Sequence, residues 1–349
     1  MSTELSPASQ SLAHRDAAAQ LQLTTLEGWR NFATDTPSSP RLLTTLQYRA
    51  LTDTERILDD EDRIDHHART LVIATSAIRH IVTCGRRQVL MNRNEYGARR
   101  GLLVSGPAGT GKSIAITQLG LSHELVDRAR HPGVTDRIPV LYVTVPPAAT
   151  ARMIAAEFAR FLGLPVRTRL NMTDIIEAVV GVLIDARCSL VLVDEVHNIS
   201  LTTRNGAEVS DTLKYFSERI PATFVYAGID LDKKGLLEGT RGAQIAGRFT
   251  LIPTAPFPRG TEWTQLVATL EETLLLRRHR SGTFRELDSW LHTHTNGMIG
   301  ALSHAVRGAA IDAILTGSER ITKAGIEAIP LDYAAESDRR RKRSPRKQS

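Results

Sequence analysis

Residues 106 to 113 match the phosphate-binding loop pattern G-x-x-x-x-G-K-[S/T], the Walker A motif, at every fixed position. The glycines of this stretch allow backbone conformations that a Cβ would forbid, so that successive N–H groups can face one anion. Lys112 is expected to reach the β- and γ-phosphates of ATP, and the Ser113 hydroxyl is expected to ligate Mg²⁺. The predicted nucleotide-binding residues are Gly106, Pro107, Ala108, Gly109, Thr110, Gly111, Lys112 and Ser113.

The flanking residues predict a strand before this loop and a helix after it. Gly101–Ser105 is a short apolar run that is typical of a buried strand, and Ile114–Leu125 has apolar residues at helical spacing. A helix that begins at the loop adds the partial positive charge of its N-terminus to the anion site. This context favours a nucleotide site over a chance glycine-rich turn.

A second pair of candidate residues, Asp194 and Glu195, follows the apolar run 190–193. The pattern predicts a strand that carries both carboxylates to the carboxyl edge of a sheet, where α/β folds bind ligands. Asp194 would hold Mg²⁺, directly or through water, and Glu195 would orient and polarise the water that attacks the γ-phosphate. The alternative is a strand that ends in a solvated acidic turn.

The same stretch also fits D-E-x-H, a pattern of one helicase superfamily, through His197. Those enzymes need two motor domains, and the chain after His197 is too short and too helical for a second one. We therefore interpret His197 as a supporting or structural residue.

Arg248 is the candidate for a further cation that stabilises the γ-phosphate during hydrolysis, often donated by a neighbouring subunit. It directly precedes a predicted strand at 249–252. An ordinary surface arginine is the alternative interpretation, and Arg241 is a nearby competitor.

The charge of the chain is concentrated at its C-terminus. The net charge is +6, but the last eleven residues hold seven Lys/Arg and no acid, and the rest has 37 basic and 38 acidic residues. This tail either binds DNA phosphates or is a solvated end, and without interleaved aromatic residues we expect no sequence recognition by it.

The composition indicates an ordinary globular protein, with 42% hydrophobic and 23% charged residues. No apolar run approaches the roughly 20 residues that span a bilayer, and the N-terminus lacks the features of a secretory signal. We therefore expect a cytoplasmic protein without membrane contact. Two cysteines, Cys84 and Cys188, are too few for a disulfide framework or a zinc site.

Strand and helix patterns alternate through the middle of the chain, and only helical patterns follow Pro258. Short, almost entirely apolar strands between helices predict an α/β fold with a parallel sheet covered on both faces, as in P-loop NTPases. The predicted organisation is a flexible N-terminal segment (1–52) with one short helix around 21–32, N-terminal helices (53–95), a nucleotide-binding core (96–257), a C-terminal helical lid (258–332) and a disordered basic tail (333–349).

Together, the phosphate loop, Asp194-Glu195 with His197-Asn198, the Arg248-Phe249 pair and the helical lid resemble an AAA+ ATPase. Within that group, the chain is similar to the TniB-type ATPases of transposons, relatives of TnsC and IstB. The resemblance covers roughly residues 45–320, and the stretch Asn296–Gly300 in the lid also favours the TniB-like branch. It implies a five-stranded AAA+ core, ATP-dependent homo-oligomers on DNA, and recruitment or activation of a transposase.

Two positions depart from the pattern of that group. Ile229 stands where many AAA+ proteins have a polar sensor residue, with Asp230 as a substitute, and Gly300 stands where many have a lid arginine, with Arg307 as a weak substitute. Slow or partner-dependent hydrolysis is therefore expected. The alternatives are a nucleotide-gated binding module with marginal hydrolysis and a helicase loader of the IstB/DnaC type.

Overall fold

A computed structural model describes residues 21–36, 39–97, 99–166, 171–199, 204–232 and 247–331. Within these ranges the chain divides into two compact units. The first unit takes its residues from 1–36, 76–106 and 112–254, and the second takes its residues from 37–75, 107–111 and 255–349.

The described helices are α1 (Leu26–Thr34), α2 (Thr45–Ala50), α3 (Asp53–Ala68), α4 (Ser76–Asn92), α5 (Lys112–Arg130), α6 (Ala151–Phe161), α7 (Met172–Asp185), α8 (Arg204–Arg219), α9 (Thr261–Glu272), α10 (Thr283–Glu286), α11 (Asp288–Thr295), α12 (Ile299–Leu315) and α13 (Lys323–Ala328). The described strands are β1 (Gly101–Ser105), β2 (Val140–Thr144), β3 (Leu190–Asp194), β4 (Thr223–Gly228) and β5 (Phe249–Pro253). A short 3₁₀ turn, Val196–Asn198, follows β3.

The first unit is built on a five-stranded sheet with the strand order β2-β3-β4-β1-β5, in which all paired strands are parallel. Every residue of β1 and β3 is buried. Strands buried along their whole length must be covered on both faces, which explains their continuous apolar sequences. The predicted α/β P-loop fold is therefore confirmed.

Helix α1 packs within this first unit, where the sequence predicted a short helix around residues 21–32 inside an otherwise flexible segment. The Thr25 hydroxyl accepts a hydrogen bond from the Gly28 N–H and thereby caps the helix. Trp29 is 1% exposed, and its indole N–H donates to the buried Glu124 carboxylate at 3.3 Å. Trp29, together with Leu26 and Phe32, which also pack against the core, anchors a stretch whose composition otherwise indicates disorder.

The second unit is a helical bundle, as the sequence predicted for the residues after Pro258. Its core contains Trp263, Phe284, Leu291 and Leu302, each with no exposed surface. Helix α3 packs on α12 within this unit. The sequence grouped α3 with α4 as N-terminal helices, whereas the two helices belong to different units.

A buried network of charges connects α3 to the C-terminal part of the second unit. The guanidinium of Arg63, which is fully buried, donates to both oxygens of Glu319 at 3.0 and 3.1 Å. Arg277 also pairs with Glu319, and it contacts Asp59 at 3.0 Å. The contacts of Arg63 with Glu319 and of Arg277 with Asp59 join residues 256 and 218 positions apart, so local sequence patterns do not indicate them.

Across the described ranges, no helix is both long enough and apolar enough to cross a membrane.

Candidate functional site

The carboxyl ends of the parallel strands bring the candidate residues of the first unit to one edge of the sheet. At the end of β1, Ser105 is in register with Gly228 of β4, and at the end of β3, Asp194 is in register with Thr144 of β2. Gly106 therefore leaves the sheet at the same edge at which Glu195 leaves it, which is the edge where open α/β sheets bind ligands.

Lys112, the first residue of α5, is buried with 7% of its surface exposed. Its ammonium group donates to the Gly106 carbonyl at 2.9 Å. Burial lowers the pKa of Lys112, while the nearby carboxylates of Asp194, Glu195 and Asp230 act in the opposite direction. A buried cation facing acidic groups is the electrostatic arrangement expected of a phosphate-binding lysine.

Both carboxylate oxygens of Asp194 are held by hydrogen bonds. Oδ1 accepts the Glu195 N–H at 2.8 Å, and Oδ2 accepts the Tyr142 hydroxyl at 3.0 Å. Burial, followed by the adjacent Asp194 charge, raises the pKa of Tyr142, so this hydroxyl remains a donor. Asp194 is 3% exposed and thus presents a carboxylate of fixed orientation.

Glu195 combines an accessible carboxylate with a strained backbone. Its φ of 57° and ψ of 29° place it in the left-handed region, which is uncommon for a residue with a side chain and occurs often at functional sites. Its side chain is 42% exposed, and Oε2 lies 3.3 Å from Nε2 of His197. A solvent-accessible carboxylate in this position is suited to orient a water molecule, and His197 contacts it directly.

Gly106 is the position of the loop at which the structure most clearly requires glycine. A Cβ at this residue would lie 2.1 Å from the Thr254 carbonyl oxygen. Gly109 and Gly111 have φ values of 76° and 85°, as the pattern predicted. Thr110 closes a local turn, with its hydroxyl donating to the Pro107 carbonyl at 2.9 Å.

The turn after β4 contacts the end of β1. The Ser105 hydroxyl donates to Oδ1 of Asp232 at 2.6 Å and accepts the Leu231 N–H at 2.9 Å. Asp230, in this turn, contributes to the electrostatic environment of Lys112. The sequence did not lead us to predict that Tyr142 and Ser105 support the site. Each is a hydroxyl-bearing residue in an otherwise apolar strand, and that pattern was the signal that could have indicated them.

Arg248 is not brought together with Lys112 and Glu195 in this chain. It directly precedes β5, and its carbonyl accepts the N–H of Gly101 at the start of β1, so it lies at the amino edge of the sheet. Its guanidinium is 3.5 Å from the Glu218 carboxylate, and its side chain is 43% exposed. The competitor Arg241 and the basic tail lie outside the described residues.

Arg307 does not substitute for a lid arginine. Within the second unit, its guanidinium donates to the His67 carbonyl at 2.9 Å and also to the Ala68 carbonyl. These are the last carbonyls of α3, which lack partners within the helix. Arg307 therefore caps α3.

The residues present fit a Mg²⁺–nucleotide. Ser113 and Asp194 offer the hard oxygen ligands that Mg²⁺ prefers, and Lys112 at the start of α5 offers a cation and a helix N-terminus. Gly106 allows the start of the loop to pack on the Thr254 carbonyl, which a Cβ would prevent. Their arrangement agrees with a site for phosphoryl transfer.

Comparison with known proteins adds a family and a fold. The family model described as bacterial TniB protein matches residues 63–258. No curated protein has a sequence that matches this chain.

Solved structures that resemble the chain include origin recognition proteins. The Aeropyrum pernix Orc1 protein in complex with DNA has 18% identity and a TM-score of 0.55, and the similarity covers 75% of this chain and 64% of that one. The Aeropyrum pernix Orc2 protein in its ADPNP–ADP complexes has 18% identity and a TM-score of 0.56, and the similarity covers 78% of this chain and 71% of that one. Drosophila ORC bound to DNA has 13% identity and a TM-score of 0.51, and the similarity covers 91% of this chain and 72% of that one. The chain thus spans less than two thirds of the Orc1 chain, and the shared feature is the AAA+ fold.

Proposed function

This chain belongs to the bacterial TniB family, and we propose that it is an ATP-binding and ATP-hydrolysing AAA+ protein that assembles on DNA and regulates or recruits a transposase. The observation that carries the proposal is the buried Lys112, whose charge is stabilised by Asp194 and Glu195 at the carboxyl edge of a P-loop sheet. ATP is the substrate, and ADP and phosphate are the products.

In this proposal, the backbone N–H groups of the loop and the Lys112 ammonium bind the β- and γ-phosphates. Ser113 and Asp194 hold Mg²⁺, which neutralises charge on the phosphate oxygens when it is bound. The hydrogen bonds from Tyr142 and the Glu195 N–H fix the orientation of the Asp194 carboxylate. ATP binding would replace the hydrogen bond from Lys112 to the Gly106 carbonyl with contacts to phosphate.

Glu195 would then accept a hydrogen bond from the attacking water and polarise it. Its side chain is accessible to solvent, which this role requires. The contact with His197 at 3.3 Å holds the carboxylate on one side of the strand end. His197 would therefore position Glu195 without touching the substrate.

A homo-oligomer is the expected active form, because Arg248 lies at the amino edge of the sheet, opposite the phosphate loop. An arginine at that edge is too far around the sheet to serve its own site, and its half-exposed guanidinium is accessible to a neighbouring subunit. We propose that Arg248 stabilises the γ-phosphate bound by that neighbour.

DNA is the proposed macromolecular partner, contacted mainly through its phosphates. The similar Orc1 and ORC structures are described as complexes with DNA, and the tail of this chain holds seven basic residues in its last eleven. The transposase partner follows from the TniB family alone.

Marginal hydrolysis is the second candidate, in which the ATP-bound form recruits partners as a nucleotide-gated module or a helicase loader. It is favoured by Ile229 and Gly300, which replace polar residues that assist hydrolysis in many AAA+ proteins. The two candidates share the ATP site and differ in turnover.

The test is the rate of ATP hydrolysis with and without duplex DNA, for the wild type, Glu195→Gln and the matched control Glu272→Gln. Glu272 is an exposed residue at the end of α9. DNA should stimulate the wild type and Glu272→Gln equally, and Glu195→Gln should bind ATP but lose turnover by about a hundredfold or more.

Normal turnover by Glu195→Gln would remove this residue from the proposed role. Tight ATP binding by the wild type without turnover under any condition would replace the ATPase with the nucleotide-gated module.

A further inference from the structure

The start of the lid helix α12 contacts the phosphate loop directly, and both segments belong to the second unit. The N–H of Gly300, the second residue of α12, donates to the carbonyl of Gly109 at 3.0 Å. This N–H is one of the first four of the helix, which have no partner within the helix. Gly109 therefore supplies its acceptor.

The closeness of this contact explains why residue 300 has no side chain. A Cβ at Gly300 would lie 3.2 Å from the Gly109 oxygen and 3.3 Å from its Cα. Such distances are tighter than most real Cβ contacts, so any side chain would require the Gly109 backbone to shift by a few tenths of an ångström. The missing lid arginine is thus the consequence of direct packing between two backbones.

The segment before α12 is fixed independently of the loop. The Phe257 N–H donates to the Gly297 carbonyl at 2.8 Å, and the Phe257 carbonyl lies 2.8 Å from Nε2 of His292. Gly297 has a φ of 69°, and a Cβ there would lie 2.3 Å from the Phe257 oxygen. The start of α12 is therefore held by the lid itself and provides a firm donor to Gly109.

The hydrogen bond fixes the direction of a peptide group that matters for anion binding. In a planar trans peptide, the carbonyl and the following N–H point in opposite directions. Since the Gly109 carbonyl points to Gly300, the Thr110 N–H points away from α12. Thr110 lies in the part of the loop whose N–H groups are expected to face the phosphates.

We propose that Gly300 is a positioning residue of the nucleotide site: its N–H orients the Gly109–Thr110 peptide so that the Thr110 N–H faces the bound phosphate. This inference rests on the proposed ATP binding at the loop. In many AAA+ proteins an arginine side chain connects the lid to the nucleotide. In this chain, the backbone hydrogen bond from Gly300 to Gly109 would make that connection. Because coupling between two equilibria is reciprocal, phosphate binding also stabilises the hydrogen bond between Gly300 and Gly109.

The test compares Gly300→Ala with Gly181→Ala. Gly181 lies within helix α7, and a Cβ there would have no atom within 4 Å. At Gly181, in a helix interior, alanine is the better helix former and should only raise the unfolding temperature. If Gly300 had a purely structural role, Gly300→Ala would change the unfolding temperature, and nucleotide affinity would stay unchanged in both variants. The proposal predicts that Gly300→Ala weakens binding of the Mg²⁺ complex of ADPNP by about tenfold, and that Gly181→Ala does not.

Hydrogen exchange supplies a second readout, which reports the local opening of the start of α12. In the wild type, the ADPNP complex should slow amide exchange over residues 298–302, and in Gly300→Ala this protection should be lost while residues 288–295 exchange at the wild-type rate. Unchanged affinity and unchanged protection in Gly300→Ala would overturn the proposal. Failure of the wild type to bind ADPNP would instead contradict the ATP site itself, so the two failures are distinguishable.

Discussion

His67 should make the second unit sensitive to acid. It is 5% exposed, and its Nε2 accepts the N–H of Leu275 at 3.2 Å, which requires the neutral imidazole. Burial, then the charges of His66, Arg63 and Arg307, lowers the pKa of His67 from 6.5 to about 4. Protonation would add a buried cation beside two arginines and remove an acceptor.

The sign and magnitude of the effect follow from this pKa. Between pH 6.5 and 4 the unfolded chain binds a proton that the folded chain does not, so stability is complete above pH 6.5 and decreases as the pH falls towards 4. With a pKa of about 4 in the folded chain and 6.5 in the unfolded chain, His67 lowers the free energy of unfolding by about 2 kcal/mol between pH 7 and pH 5.

Urea unfolding at pH 7 and pH 5 tests this expectation in the wild type, His67→Gln and His304→Gln. Glutamine keeps an acceptor without a titrating group, and His304 is an exposed histidine of α12. The wild type and His304→Gln should lose about 2 kcal/mol more than His67→Gln on acidification. Burial also lowers the pKa of His123, in the first unit, to about 4, but that residue is present in all three proteins and cancels in the comparison. An equal pH dependence of stability in all three proteins would show that His67 is not the source of the acid sensitivity.

Three other predictions concern stability, assembly and DNA. Glu319→Gln should lower the free energy of unfolding in urea by about 3 kcal/mol, because it removes the most buried of the carboxylates that Arg63 and Arg277 share and leaves only Asp59 and Asp60, and a loss below about 1 kcal/mol would contradict this assignment. Arg248→Ala should lose ATP turnover and regain part of it when mixed with Glu195→Gln subunits that keep Arg248; without recovery, donation between subunits is ruled out. Deletion of residues 339–349 should reduce the slope of log DNA affinity against log salt by about 4 to 5 at unchanged ATP affinity, and an unchanged slope would leave the tail as a solvated end.

Local patterns in the sequence were enough to predict the sheet and the phosphate loop. The strands are continuous apolar runs that end at turns, and the spacing from Gly106 to Ser113 has few structural alternatives. Both features depend on neighbours within a few residues, which is why they could be recognised without a structure.

Contacts over long sequence distances could not be predicted in this way. The pairing of Arg63 with Glu319 joins α3 to the lid across 256 positions, and nothing in the charged sequence of α3 indicates a buried arginine. Trp29 similarly orders α1 through Glu124, 95 positions away. The sequence identified Gly300 only as a missing arginine, because the reason for a glycine there is the position of Gly109.

The nucleotide site can be tested directly by calorimetric titration of MgATP into the wild type, Lys112→Ala and Lys323→Ala. Lys323 is an exposed lysine of α13, distant in sequence from the loop, and controls for loss of a positive charge. We expect one ATP bound per chain in the wild type and in Lys323→Ala, and no measurable binding in Lys112→Ala. ATP binding by Lys112→Ala at the wild-type affinity would contradict the central claim that residues 106–113 form the nucleotide site.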